Sequence, residues 1–95
     1  MRPDHGGRLE LRLERASETC ARYLLTLLTA EAEVSCEVAI EASADRLDLG
    51  EWRGGAPPVW LQGYAHAVLR GVQRTKASGG AWPRRLTRWR PAPKA

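Results

Sequence analysis

The residues best equipped for catalysis are few, and none is placed for it. His5 stands in a Gly-flanked N-terminal stretch and His66 in a helical pattern, and neither has a Ser, Cys or Asp spaced to build a nucleophile and its base. Glu33, Glu37 and Glu41 fall on one side of an alternating stretch and read as a single solvated row. A general acid and base need unlike environments to separate their pKa values, and such a row offers one. Cys20 and Cys36 have no further Cys or His at metal-ligand spacing and read as two free, partly buried thiols, with a disulfide as the alternative. The Gly pairs at 6–7, 54–55 and 79–80 lack the spacing of a phosphate or dinucleotide loop. The expectation is a non-enzymatic protein with no catalytic residue, no metal and no cofactor.

Recognition chemistry is better represented. The net charge of +4 hides a division: all eleven acids lie at or before Glu51, and nine of the fifteen cations follow it with no acid among them. Thirteen of those fifteen are Arg, which a GC-rich coding sequence supplies unaided, but that bias does not sort the acids into one half. Arg forks suit carboxylates and phosphates, and Trp faces stack on bases or hold an Arg. The partner-binding residues expected from this pattern are Arg70, Arg74, Trp82, Arg84, Arg85, Arg88, Trp89 and Arg90. The first reading is contact with a protein partner or a second copy of the chain, since Trp and Arg dominate the energetic centres of interfaces. The alternative is low-specificity nucleic-acid binding through the same residues. A membrane-surface role ranks last, because two turns bury little apolar area. Against all three stands a purely structural use of Trp52, Trp60, Trp82 and Trp89 to seal the domain's own core.

Positioning these residues falls to a short series of elements. Leu9, Leu11 and Leu13 alternate with charges over residues 8–15, as in a half-buried strand. From Ser17 the apolar residues Cys20, Tyr23, Leu24, Leu27 and Leu28 recur at three- and four-residue steps, which predicts a helix over about 17–31 with Ser17 as its N-cap; a strand from Tyr23 to Thr29 competes. Val34, Cys36, Val38 and Ile40 alternate again, Ser43 to Asp45 read as a turn, and Arg46 to Glu51 as the hairpin partner. Gly54 to Pro58 form a stiff connector into a helix ending near Lys76, with Leu61, Tyr64, Ala65, Val68 and Val72 as its apolar stripe. Trp82, Leu86 and Trp89 then suit a short helical clasp from Pro83, or a strand added to the sheet.

The predicted fold class is α+β, in the order β-α-β-β-α with a C-terminal basic and Trp-bearing clasp. A four-strand antiparallel meander followed by one helix is the alternative. At 10.5 kDa the chain holds one core, with 1–7 as a flexible N-terminus, 8–90 as the domain and 91–95 as a flexible tail. No signal-peptide or membrane-spanning stretch is visible, and the expected location is the cytoplasm.

Overall fold

A computed structural model describes residues 2–93. Its elements in chain order are β1 (Gly7–Ala16), β2 (Cys20–Leu28), β3 (Glu33–Glu41), β4 (Arg46–Leu49), α1 (Val59–Ala77) and β5 (Arg85–Arg90). The strands form one antiparallel sheet in the order β4-β3-β2-β1-β5. The fold is therefore α+β, and its meander of four strands followed by one helix is the alternative arrangement; the order with two helices is overturned.

The expected helix over 17–31 is a strand. Ala21, Tyr23, Leu25 and Leu27 are buried, while Arg22, Leu24 and Thr26 stand on the opposite face, a period of two. An apolar run this dense satisfies both periods, so periodicity alone cannot separate them. The turns decide, and hydroxyls build them. Ser17 Oγ accepts the Cys20 N–H at 3.2 Å, and Thr29 Oγ1 accepts the Ala32 N–H at 3.2 Å, closing the hairpins on either side of β2. Ser17 does what an N-cap does, offering oxygen to a nearby N–H, but in a turn.

The second correction is at the C-terminus. Residues 85–90 form no helical clasp; they pair antiparallel with β1, from Arg12↔Arg85 to Gly7↔Arg90. This places Leu86 beside Leu11 on the face that carries the core. β4 is shorter than expected: after Leu49 the chain holds to β3 through Gly50 N–H to Glu37 O and a two-bond bridge between Ser35 and Arg53.

One face of the sheet is roofed by α1. Leu9, Leu11, Tyr23, Leu25, Leu27, Val34, Cys36, Val38 and Ile40 meet Leu61, Ala65, Leu69 and Val72 there. Leu69, absent from the expected stripe, is fully buried, whereas Tyr64 and Val68 are half-buried. The helix crosses diagonally. Near its start a Cβ on Gly7 would stand 2.7 Å from a Leu61 methyl, so glycine permits the close approach to β1. Near its end Gln73, only 2% exposed, donates from Nε2 to the Glu41 carbonyl at 3.1 Å and the Arg46 carbonyl at 3.0 Å, on the other side of the sheet. Arg70 Nη1 donates to Gln73 Oε1 at 2.7 Å and pairs with Asp45, so the β3–β4 turn is clamped to the helix. After α1, Trp82 plugs the corner of the core: Nε1 donates to the Ser17 carbonyl at 2.9 Å, and Tyr23 Oη donates to the Pro83 carbonyl at 2.7 Å. Among the described residues no helix is long and apolar enough to cross a membrane.

Two measurements test this packing. Gln73→Leu removes the donor and acceptor that join helix to hairpin, and is expected to lower the unfolding free energy in urea by about 1–3 kcal/mol. Burial pushes the Cys36 thiol from its ordinary 9.0 up to about 11 and the Tyr23 phenol from 10.0 up to about 12. Both groups ionise first in the unfolded chain, so the stability they contribute is whole below about pH 9 and is lost as pH rises towards 12. Urea midpoints are expected to fall across that range, and Cys36→Ala to flatten the fall between pH 9 and 11.

Candidate partner-binding surface

The eight residues expected to bind a partner do not form one patch. Arg70 is occupied internally by Asp45 and Gln73. Arg74 is exposed on the helix, and Trp82 is buried at 9% exposure. The other five, Arg84, Arg85, Arg88, Trp89 and Arg90, run along β5 and the residue before it, at the open edge of the sheet. β5 sends them to both faces. Arg85, Thr87 and Trp89 lie on the uncovered face, level with Arg12, Glu10 and Arg8 of β1; Leu86, Arg88 and Arg90 lie on the helix side.

Three of the five have a definite local partner. The Arg90 guanidinium sits 5.2 Å above the Tyr64 ring, and Arg88 Nη1 donates to the Thr87 carbonyl at 2.9 Å. Trp89, 48% exposed, donates from Nε1 to the His5 carbonyl at 3.1 Å, with the His5 ring edge-on to it. His5, in the N-terminal stretch before β1, thus lies against the C-terminal strand.

The sheet register adds residues that no local pattern marks. Arg12 stands directly across from Arg85, and beyond an irregularity between Leu13 and Arg15 the next outward residue, Arg15, stands across from Arg22. Like charges directly opposite destabilise a sheet. Arg22 is relieved by Glu37 at 3.6 Å, but among the described residues Arg12, Arg15, Arg84 and Arg85 have no carboxylate within salt-bridge distance. They surround an open concavity of about 580 Å³ beside Leu13 and Glu14. The signal is legible only once β1 and β5 are known to pair.

Glu10 and Glu14 lie on β1 within this flank, but a larger group of acids occupies the opposite one. Glu33, Glu37 and Glu41 lie on β3, and Asp45 and Asp48 on the β3–β4 hairpin, where Arg22, Arg70 and Arg46 pair with Glu37, Asp45 and Asp48. Four strand spacings separate β4 from β5, about 19 Å, against a screening length of about 8 Å at physiological salt. The acids of β3 and the β3–β4 hairpin therefore do little to screen the Arg residues of the β5 flank. The basic flank is left with its field outward, able to hold carboxylates or phosphates in Arg forks. Among the described residues no three His, Cys, Asp or Glu side chains gather as a metal site would need, and Cys20 (exposed) and Cys36 (buried) are free thiols.

If the Arg12/Arg85 opposition is a stability cost kept for recognition, Arg85→Glu gives Arg12 a counter-charge and is expected to raise the unfolding free energy by about 0.2–1 kcal/mol in low-salt urea titrations. A destabilised variant would mean Arg85 serves the fold. Compared with protein-family models, with curated proteins and with solved structures, the chain matches none of them.

Proposed function

We propose that the chain is a small non-enzymatic protein-interaction module that receives an acidic protein partner on its β5 flank. The observation that carries this reading is the cluster of Arg12, Arg15, Arg84 and Arg85, none with a carboxylate within salt-bridge distance among the described residues, with the exposed Trp89 further along the same strand. Such Arg groups orient an anionic partner, and a half-exposed Trp supplies apolar area; burying its remaining surface is worth roughly 2–3 kcal/mol at about 25 cal/mol per Å². An accessory role in a larger assembly follows from this. The reading also places the chain in the cytoplasm, where a reducing environment keeps Cys20 and Cys36 as thiols.

The same Arg cluster favours phosphates, which makes nucleic acid the second reading. Single strands bind on rows of stacking rings, and on the uncovered sides of β1, β2, β3 and β5 the one Trp or Tyr ring is Trp89, held by His5. The central strand β2 presents Leu24 and Thr26 there. Association of β5 with β5 in a second copy would bring two strands of three Arg each together, so an acidic partner suits this flank better than self-pairing.

Titration with a Glu-rich peptide and, separately, with a nonspecific DNA duplex distinguishes the readings. The peptide is expected to shift the amide resonances of Arg85 to Arg90, and Trp89→Ala to weaken it by about 2 kcal/mol while the variant stays folded. Preference for the duplex, with log affinity falling against log salt at a slope near −4 for about four neutralised phosphates, would replace the protein reading with the nucleic-acid one.

A further inference from the structure

The geometry points to a specific mode of capture: β5 takes an extended peptide of alternating acidic and apolar residues as a sixth strand, with its apolar side chains seated beside the groove between β5 and α1. This rests on the reading of the basic flank as a protein-binding surface and names the shape and chemistry of the partner.

The backbone makes the first half of the case. The Leu13 N–H donates to the Arg84 carbonyl at 2.9 Å, and bonded pairs alternate along an antiparallel ladder. Leu86 and Arg88 therefore bond β1, while Arg85, Thr87 and Trp89 turn N–H and C=O groups away from the sheet. Among the described residues nothing covers them except the exposed Arg88 guanidinium on the Thr87 carbonyl. An extended strand is the partner whose own backbone satisfies that row. The opposite edge is unsuited to the same use, because β4 is four residues long and the chain departs from it at Gly50 before rejoining β3 at Arg53.

The groove makes the second half. Val68, Gly71, Val72 and Thr75 of the helix face Pro83 and Leu86 across a space of about 440 Å³ that Arg88 also lines, open where the diagonal helix leaves β5. A Cβ built on Gly71 would meet nothing within 4 Å, so this flank of the helix has room for a guest. Guest residues opposite Leu86 and Arg88 would rise on the helix side, towards Val68 and Gly71; the one at Leu86 wants to be apolar, and the one at Arg88 packs along that side chain's alkyl stem. Those opposite Arg85, Thr87 and Trp89 would share the uncovered face with Arg12 and Arg85, and want a carboxylate.

Charge chooses the occupant. A second copy's β5 brings three Arg in six residues against the same three, and the chain's tail from Pro91 to Pro93 has no acid and two prolines. An acidic segment of another protein has neither obstacle.

The test uses the full chain and three labelled probes read by fluorescence anisotropy. One is a capped peptide of about eight residues alternating Glu and Val, one has the same composition in two blocks, and one is a nonspecific DNA duplex. Two variants leave the fold alone: Thr87→Pro removes an outward N–H that no ladder bond uses, and Gly71→Leu fills the groove with a better helix former. Strand addition is expected to make the alternating peptide bind at least about tenfold more tightly than the block peptide, and each variant to lose about tenfold or more, while Thr87→Val keeps the affinity. Equal binding of the two peptides, or indifference to both variants, overturns strand addition yet leaves an acidic protein partner on this flank. No binding of the alternating peptide up to about 1 mM also overturns it, and binding of the duplex alone overturns the protein reading as well.

Discussion

A helix about 10–12 Å across cannot roof a sheet whose outer strands stand about 19 Å apart, so some flank of this five-stranded sheet has to be left open. Gln73 and Arg70 decide which. By binding the Glu41 and Arg46 carbonyls and Asp45, they draw the end of α1 to the β3–β4 hairpin, while Gly7 lets its start lie close over β1. The diagonal that results covers one face of the central strands and parts company with β5. What remains there is a wedge between helix and strand, beside the unpaired backbone edge that ends any open sheet.

Electrostatics follows the same division. On the hairpin flank, acids and cations are paired across neighbouring strands and turns, and the charge is spent locally. On the β5 flank Arg12 faces Arg85 with Arg15 and Arg84 close by, an arrangement that weakens the ladder holding the edge strand in place. Cations along an edge do discourage aggregation, which gives them a use even without a partner. The direct opposition of two Arg goes further than edge protection requires, since one row of charge on the outer strand would suffice. The binding surface proposed above, keeping uncompensated charge at some cost in stability, would account for both.

The sequence made parts of this plain. Strict alternation in residues 8–13 and 34–41 marks β1 and β3 because each has one wet face, and the Pro57–Pro58 start and Gly79 exit bracket α1. β2 was hidden because both its neighbours bury it, so its apolar run fits a helix equally well, and its turns rest on single hydroxyls of Ser17 and Thr29. β5 was hidden because its partner lies about 75 residues earlier in the chain, and nothing local tells a strand from a clasp. The site was half legible. Arg84, Arg85, Arg88, Trp89 and Arg90 stand out by composition, but Arg12 and Arg15 join them only through the register. Arg70 and Trp82 look the same in sequence and are consumed by the fold itself.

β5 is a regular but unpaired edge, and backbone hydrogen exchange followed by NMR reads it residue by residue. The amides of Leu86 and Arg88, bonded to β1, are expected to be protected, and those of Arg85, Thr87 and Trp89 between them to exchange at rates near those of an unstructured chain. Protection of Thr87 equal to that of Leu86 in the isolated protein would contradict the account, since the edge would then already be covered by another strand.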